Sequence, residues 1–347
     1  MSKQVKIGKI YIGGENPIAI QSMSTDRVCD TTRAVELATS LQRAGCDILR
    51  FSVLDEQDAK AFSEIKKHAD MPLVADIHFD YRLALASIDG GADKIRINPG
   101  NIGSEANLIE VANALKSNKI PVRVGSNSGS IEKEFLQKYG VSAVALSESA
   151  LKHVSTLEKL GVNDIVVSVK SSSVQMMVEA YEYISKRTEY PLHLGVTEAG
   201  TEYNGIVKNS IGIGALLLKG IGDTIRVSLS AQPEREIVAA KAILKSIGKI
   251  EDGAEVVACP TCGRCAWDCM EFAKKTEEYV KDVKTPIKIA VMGCVVNGPG
   301  EAQNADVGVA GGKDKCVIFS HGKILKTVER EELEREFFGE IDRCLGK

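Results

Sequence analysis

The sequence predicts a parallel (β/α)8 TIM barrel at residues 1–250, followed by a small α/β domain at residues 251–347. Two observations support this fold class. Short β-branched segments alternate with amphipathic helical segments eight times over about 230 residues, which is typical of a barrel closed by right-handed crossovers. The alternation then stops, and four of the nine cysteines fall between residues 259 and 269.

Composition narrows the class of protein further. The chain has 347 residues, 44% of them apolar and 26% charged, which suits a globular protein of two domains. A net charge of −3 gives no basic field for nucleic acid, and no apolar run reaches the ~18 residues of a membrane span. The first residues lack the apolar core of a signal peptide. We therefore expect a cytoplasmic protein whose cysteines are thiols or metal ligands.

The elements of the barrel follow from the residue pattern. Residues 32–44 carry apolar side chains at helical spacing, and Gly45 follows as a helix cap. A short strand at 6–11 is expected to plug the bottom of the barrel, and an extra helix is expected within 125–164. The barrel strands are predicted at 18–23, 48–51, 73–76, 94–97, 122–125, 164–169, 192–197 and 224–227.

A weak internal repeat, D-x-x-R-x-[SN], occurs at 47–52, 93–98 and 223–228. Because side chains alternate along a strand, the arginine and the Ser or Asn two residues later face the barrel axis. Arg123 and Asn127 extend this set on another strand. Buried guanidinium groups are costly unless paired, and arginine suits bidentate contact with phosphate. A phosphorylated ligand is therefore expected at the carboxyl ends of the strands, where barrel active sites lie.

Polar residues also end the other predicted strands. One alternative is that Asp76 and Glu198 only neutralise the arginines. Eight strands that all end in polar side chains favour a binding site instead. The additional residues are Ser22, Ser24, Asp76, His78, Ser168, Lys170, His193, Thr197 and Glu198.

The C-terminal segment predicts a small α/β domain after a charged linker at 248–253. Its metal-binding thiols are expected at two strand ends. The predicted elements are helices at 267–280 and 329–345, strands at 287–292 and 306–310, and a hairpin of strands 316–320 and 323–328 turned at His321-Gly322.

Two ligand sets are compatible with the cysteine spacing. Cys259 and Cys262 form a C-x2-C pair whose Pro and Gly neighbours permit a tight turn around one ion. Cys265 and Cys269 extend this pair to the spacing of bacterial ferredoxins, except that Met270 replaces the usual Pro. Thiolates are soft ligands that suit an iron–sulfur cluster or zinc.

The competing set takes its third thiol from Cys294. This residue lies in the Gly- and Pro-rich segment 292–300, whose backbone N–H groups suit the sulfides of a cluster. Spacing by itself favours the ferredoxin-like set. The remaining cysteines are expected to be structural or surface thiols, and His68 and His153 are expected to lie on solvated faces.

With these motifs in place, the chain resembles the 4-hydroxy-3-methylbut-2-enyl diphosphate synthase family of the non-mevalonate isoprenoid pathway. The resemblance covers essentially the whole chain and corresponds to the two-domain form of the family. It rests on IQSM at 20–23, DIHFDYR at 76–82, KIRINPGNIG at 94–103, GVTEAG at 195–200, CPTCGR at 259–264 and NGPGE at 297–301.

The resemblance implies a [4Fe–4S] cluster held by Cys259, Cys262, Cys294 and the carboxylate of Glu301. Cys265 and Cys269 depart from the family motif. It also implies Glu301, Glu198 and Asp76 as catalytic residues, with Glu198 as a candidate proton donor. The barrel would bind the cyclic diphosphate of methylerythritol through Arg50, Arg96, Asn98, Arg123, Asn127, Ser168, Lys170, His193, Arg226 and Ser228.

The implied reaction is a two-electron reductive dehydration that opens the ring and releases a linear allylic diphosphate. Reduced ferredoxin or flavodoxin would supply the electrons, and family members are homodimers. Nucleic acid and membrane partners are not expected. Two alternatives remain compatible with the residues, namely a non-redox barrel enzyme with a structural zinc domain and an electron-transfer module whose reaction takes place elsewhere. Colour separates iron–sulfur from zinc, since zinc thiolate is colourless.

Overall fold

A computed structural model describes residues 1–251, 253–296 and 298–347 of the chain. Two compact units result, Met1–Lys249 and Ile250–Lys347. Within the described residues, no helix has the length and apolar character needed to cross a membrane.

The first unit is a nearly closed barrel of eight parallel strands. Strands β3 to β8 pair in chain order, β10 joins β3 to β9, and a parallel bridge between Val167 and Leu192 connects the remaining edge. This confirms the predicted fold class. The barrel strands are β3 Ala19–Met23, β4 Ile48–Val53, β5 Leu73–Ile77, β6 Lys94–Arg96, β7 Val122–Asn127, β8 Ile165–Lys170, β9 His193–Leu194 and β10 Thr224–Ile225.

Helices connect the strands, and α1, α2, α3, α4, α6 and α7 begin at a side-chain cap. The Asp30 carboxylate accepts a hydrogen bond from Arg33 N–H, and Gly45 ends α1 with φ 98°, as the sequence predicted. The extra helix expected within 125–164 is α5. The helices are α1 Thr31–Ala44, α2 Glu56–Ile65, α3 Tyr81–Asp89, α4 Glu105–Asn118, α5 Lys133–Tyr139, α6 Ala143–Lys159, α7 Val174–Ile184, α8 Glu202–Leu217 and α9 Pro233–Ser246.

A two-stranded hairpin precedes the barrel. It consists of β1 Val5–Ile7 and β2 Ile10–Ile12, so the single strand predicted at 6–11 is wrong. The turn falls at Gly8, whose φ of 54° suits glycine. As expected, the hairpin plugs the barrel, because its buried apolar side chains join one cluster with residues of the barrel strands. That cluster contains Val5, Ile7, Ile12, Ala19, Ile48, Val74 and Val166.

The aspartate that opens each D-x-x-R repeat joins neighbouring strands. Asp47 accepts a hydrogen bond from Ile20 N–H at 2.7 Å, and Asp93 accepts one from Leu73 N–H at 2.8 Å. Asp223 does the same for Leu192 N–H at 2.7 Å. The repeat therefore combines two functions, because its first residue fixes the adjacent strand and its fourth places an arginine inside the barrel.

The second unit is a five-stranded mixed sheet with helices. Its strands are ordered β11 to β15, with parallel pairing up to β13 and antiparallel pairing beyond. Strand β11 was not predicted, whereas the turn at His321-Gly322 is confirmed. The elements are β11 Ala254–Ala258, α10 Cys269–Val280, β12 Ile287–Met292, α11 Gly298–Glu301, β13 Val307–Gly311, β14 Lys315–Ser320, β15 Lys323–Glu329 and α12 Leu333–Cys344.

Candidate active site

A cavity of about 230 Å³ lies at the carboxyl ends of the barrel strands. Five of its lining residues are cationic and one is a carboxylate. The lining residues are Arg50, Asp76, His78, Arg96, Arg123, Asn127, Ser168, Lys170, Thr197, Arg226 and Ser228. An excess of preorganised positive charge of this kind suits a multiply charged anion.

The alternation predicted for the repeat is confirmed for its arginines, whereas among the Ser and Asn residues two positions later only Ser228 lines the cavity. Arg50, Arg96 and Arg226 line the cavity, as does Arg123. Their strand neighbours face away from the axis and are fully buried, including Leu49, Phe51, Ile95 and Ile225. The strand period therefore places each guanidinium inside the barrel without disturbing the apolar layer under the helices.

Asp76, at the end of β5, connects two of the arginines. Its carboxylate lies 3.1 Å from Arg96 Nη1 and 3.7 Å from Arg50 Nε. His78 Nε2 lies 3.6 Å from the same carboxylate. Burial opposes ionisation of Asp76, but Arg50, His78, Arg96 and Arg123 outweigh it and hold its pKa well below the usual range. Asp76 is therefore an anion that fixes the cations around it.

A second carboxylate supports the cavity from behind. Glu236 on α9 accepts a hydrogen bond from Arg226 Nη2 at 2.9 Å and another from Ser22 Oγ at 2.9 Å. Arg226 Nη1 donates to Ser228 Oγ at 2.9 Å. The guanidinium plane of Arg226 is thus fixed on two sides. Sequence reasoning missed Glu236, although a Glu at a buried position of helix α9 signals a buried cationic partner.

Arg123 and Lys170 lack comparable compensation. Arg123 Nε and Nη1 are buried and have no hydrogen-bond partner among the described residues. Burial, followed by repulsion from Arg50 and Arg96, lowers the pKa of Arg123 well below its usual value. For Lys170, burial and then Arg123 have the same effect. These two groups are strong anion-seeking features of the cavity, because burial outweighs the attraction of Asp76 for Arg123 and the charges that act most on Lys170 are other cations.

Two predicted substrate contacts do not line the cavity. His193 is fully buried, and its Nδ1 lies 2.6 Å from Thr224 Oγ1. Burial, then Lys170 and Arg123, lower its pKa well below the usual range, which favours the neutral ring. Asn98 turns back into its own loop, where its Oδ1 accepts a hydrogen bond from Gly100 N–H at 3.1 Å.

Glu198 lies at the same end of the barrel but is exposed and does not line the cavity. Its φ of 52° places it in the left-handed region, which is uncommon for a residue with a Cβ atom. The next strand-end residue inward, Thr197, does line the cavity. Thr197 and His78 were noted as polar strand ends, but only the structure shows that they share the cavity with the arginines.

The sequence interpretation of His153 is wrong. Its ring was expected on a solvated face, yet it is buried, 3.7 Å from Glu132 Oε1. Burial lowers its pKa, with Glu132 opposing. His68, by contrast, has an exposed side chain, as expected. Helical spacing alone did not distinguish these two positions.

The thiols of the second unit lie at the ends of two paired strands. Strands β11 and β12 are parallel neighbours, and Cys259 N–H donates to Val291 O at 3.0 Å. This pairing brings the loop that starts at Cys259 next to the loop that contains Gly293 and Cys294. The prediction that cysteines lie at two strand ends is therefore confirmed. All nine cysteines are free thiols.

Within these loops, the thiols of Cys265 and Cys259 both lie beside Gly293. A methyl group at Gly293 would lie 3.0 Å from Cys265 Sγ and 3.5 Å from Cys259 Sγ. Cys262 is exposed and Cys294 is half-buried. No three acidic, His or Cys side chains of residues 1–251, 253–296 and 298–347 converge into a ready metal site.

The carboxylate in the predicted ligand set belongs to a tightly packed turn. Glu301 ends α11 and is exposed, while Asn297 of the same motif lies outside the described residues. A Cβ atom at Gly298 would lie 2.7 Å from Ala310 Cβ and 2.9 Å from Met292 Cβ. Gly298 therefore allows α11 to approach the ends of β12 and β13, which fixes the segment that carries Glu301.

The fold and cavity define a TIM-barrel protein with a strongly cationic anion site and a cysteine-bearing α/β domain. Residues 2–241 match the model of the GcpE TIM-barrel domain, and residues 255–343 match that of the GcpE protein C-terminal domain. The chain belongs to the GcpE family.

Relatives and solved structures agree with this placement. The chain is 53% identical over 346 residues to the 4-hydroxy-3-methylbut-2-en-1-yl diphosphate synthase (flavodoxin) of Caldanaerobacter subterraneus subsp. tengcongensis, covering 99% of this chain and 98% of the relative. The same-named protein of Fusobacterium nucleatum subsp. nucleatum is 53% identical, with 96% and 95% covered. Dihydropteroate synthase of Yersinia pestis shares the barrel fold alone, with a TM-score of 0.51, 11% identity and coverage of 72% and 100%.

Proposed function

We propose that this chain is a cytoplasmic oxidoreductase that opens the ring of 2-C-methyl-D-erythritol 2,4-cyclodiphosphate. The product is 4-hydroxy-3-methylbut-2-enyl diphosphate, and the overall change is a two-electron reduction with loss of water. The observation that carries the proposal is the cavity with five cationic residues and one carboxylate, in a chain closely similar to synthases of that name.

The barrel residues bind and orient the cyclic diphosphate. Arg123 and Lys170 are buried, and burial with neighbouring cations lowers the pKa of each, so a bound diphosphate stabilises their charged forms and is itself held. Asn127, Ser168 and Ser228 supply neutral polar groups around the same cavity. When the ring C–O bond breaks, the diphosphate becomes the leaving group, and fixed cations stabilise the charge that develops on it.

Asp76 and Glu236 act on the cations rather than on the substrate. Each holds an arginine in one orientation, through Asp76 to Arg96 and through Glu236 to Arg226. Because Asp76 stays ionised, it is unsuited to donate a proton. Glu198, exposed at the same end of the barrel, is the candidate proton donor.

The second unit supplies a donor set that suits a [4Fe–4S] cluster. Thiols at the ends of two paired strands, with a carboxylate on the adjacent turn, form a set of three soft sulfur ligands and one oxygen ligand. Cys259, Cys262, Cys294 and Glu301 would hold the cluster. When bound, such a cluster supplies electrons one at a time and offers an iron whose oxygen ligand exchanges more readily than a thiolate. The names of the relatives indicate flavodoxin as the electron donor.

An exposed apolar face supports a homodimer. Tyr203, Val207 and Ile211 lie at intervals of four residues on α8, and all three are exposed, Tyr203 by 79%. Side chains at this spacing form one face of a helix. A second copy of the chain is the occupant that the family resemblance favours for this surface.

Anaerobic turnover tests the proposal. Purified protein that contains iron and sulfide is mixed with the cyclic diphosphate and a chemical reductant, and the allylic diphosphate is measured. Arg226→Met is expected to weaken substrate binding without changing the visible spectrum. Lys60→Met, on the exposed face of α2, is the matched control. A colourless protein that binds zinc would instead support the barrel enzyme with a structural zinc domain.

A further inference from the structure

Cys265 and Cys269 form a close thiol pair that the proposed ligand set does not use. Their Sγ atoms lie 3.6 Å apart. Cys269 is buried as the first residue of α10, and Cys265 is half-buried in the loop before it. Cys265 Sγ also lies 3.1 Å from Trp267 O, to which it donates. The pair therefore has one accessible and one protected thiol.

The backbone between the two cysteines is a compact turn. Cys265 N–H donates to Cys262 O at 2.9 Å, and Cys269 N–H donates to Trp267 O at 3.0 Å. Two sulfurs already in contact across such a turn need only a small side-chain rotation to reach the ~2.05 Å of a disulfide bond. No element of regular structure has to break.

We propose that Cys265 and Cys269 are a reversible dithiol–disulfide pair, oxidised by a low-molecular-weight disulfide such as glutathione disulfide. Cys265 thiolate attacks one glutathione sulfur, forming a mixed disulfide and releasing one glutathione thiolate. Cys269 thiolate then attacks Cys265 Sγ and releases the second glutathione. Two electrons pass from the protein to glutathione disulfide, one disulfide replaces another, and the two protein protons end on the glutathione thiols.

Oxidation of this pair acts on the loops that carry the other thiols. In the reduced form, Cys265 Sγ lies beside Gly293 and near Cys259, at the junction of the two cysteine-bearing loops. A bond to Cys269 draws this sulfur towards the start of α10 and removes it from the junction. The dithiol–disulfide proposal does not depend on whether the cysteine loops bind iron or zinc. The experiment below can therefore contradict it without contradicting the proposed function, and the reverse also holds.

The chain provides two specific readouts. Trypsin cleavage after Arg264 and Lys274 leaves both cysteines in the single peptide 265–274, while Cys259 and Cys262 fall in peptide 250–264. An internal disulfide removes two hydrogen atoms from peptide 265–274 and blocks its alkylation. Trp267 is the only tryptophan of the chain and lies between the two cysteines, so its fluorescence reports their oxidation.

The experiment is an anaerobic titration of the full-length protein in glutathione redox buffers, followed by alkylation, digestion and mass spectrometry. We expect peptide 265–274 to become unreactive and internally linked, with a parallel change in Trp267 fluorescence that dithiothreitol reverses. Cys265→Ser and Cys269→Ser should each abolish that change, and Cys344→Ser, with an exposed thiol elsewhere, should retain it.

Two results would overturn the proposal. In the first, both cysteines of peptide 265–274 remain alkylated under conditions that oxidise Cys259 and Cys262. In the second, the fluorescence transition persists in Cys265→Ser. Cys265 is half-buried, so this variant tests the proposal even if serine at the buried position 269 prevents folding.

Discussion

The barrel cavity and the cysteine loops hold their functional side chains in different ways. Cavity residues lie on or directly after regular strands, and carboxylates such as Asp76 and Glu236 fix their charges. The thiols lie on loops that follow β11 and β12, and they converge less closely. A rigid scaffold suits the binding of an anion, whereas loops leave room for an incoming metal group to order its own ligands.

The two regions also differ in the groups whose burial costs free energy on folding. The barrel concentrates buried cations, and burial lowers the pKa of Arg50 to about 10 despite Asp76. The cysteine loops carry thiols, a side-chain type that costs little free energy to bury until a metal ion binds and displaces its proton. We therefore expect barrel substitutions to change stability and substrate binding, and loop substitutions to change metal content.

The largest expected effect is loss of the metal from the loops. Cys294→Ser should abolish iron binding, because it replaces a soft thiolate in a set of four ligands, and turnover should fall with it. Iron and sulfide analysis, together with the visible spectrum, measures the change. The barrel should retain its affinity for the cyclic diphosphate, which calorimetry can determine.

The control for this substitution is Cys344→Ser, which removes an exposed thiol from the end of α12. It should retain full iron content. Cys265→Ser should also retain it if the family ligand set is correct, and loss of iron in that variant would favour the ferredoxin-like set.

A large effect on stability is expected from Asp76→Asn. The substitution removes the charge that holds Arg50 and Arg96 and leaves buried cations without a counter-ion. Breaking a buried pair in this way costs ~3–5 kcal/mol. Urea unfolding of the metal-free protein measures the loss, which a saturating diphosphate should partly restore. An unchanged unfolding midpoint would mean that Asp76 does not support the cations.

The sequence predicts the barrel cavity better than the cysteine loops, because the cavity residues lie on or directly after strands and the thiols lie on loops. The barrel arginines could be placed because side chains alternate along a strand with a period of two. The D-x-x-R repeat therefore determines that Arg50, Arg96 and Arg226 point to the inside of the barrel. His193 and Asn98 could not, since only packing shows that His193 is buried at the start of β9 and that Asn98 bends into the loop after β6.

Loop geometry has no comparable period. The spacing of the cysteines gave two possible ligand sets, and the proximity of Cys265 to Gly293 depends on the pairing of β11 with β12. Strand β11 itself was missed because its residues are only half-buried or, like Glu255, exposed, which weakens its apolar pattern. The sequence identified the cysteines. Their proximity in space depends on the pairing of β11 with β12, which the local residue pattern did not reveal.

Arg123→Met should separate binding from stability. The arginine has two buried nitrogens without a partner among the described residues, so an apolar side chain of similar length should stabilise the substrate-free barrel by ~1–3 kcal/mol. The same change should weaken diphosphate binding by ~10–100-fold, because a hydrogen bond to a charged group contributes ~1.5–3 kcal/mol. Thermal unfolding and calorimetry measure the two effects. Lower stability would show that Arg123 is compensated within the barrel.

The smallest expected effect is a pH dependence that comes from His193. Burial, then Lys170 and Arg123, lower its pKa in the folded state, while the unfolded value is about 6.5. Above pH ~6.5 neither state binds the proton, so this residue adds no pH dependence. Below it, only the unfolded chain is protonated, and the free energy of unfolding falls by ~1.4 kcal/mol per pH unit. Urea unfolding at pH 7, 6 and 5 should therefore show a shallower acid slope for His193→Gln than for His68→Gln, whose ring is exposed, and equal slopes would mean that the buried ring is protonated.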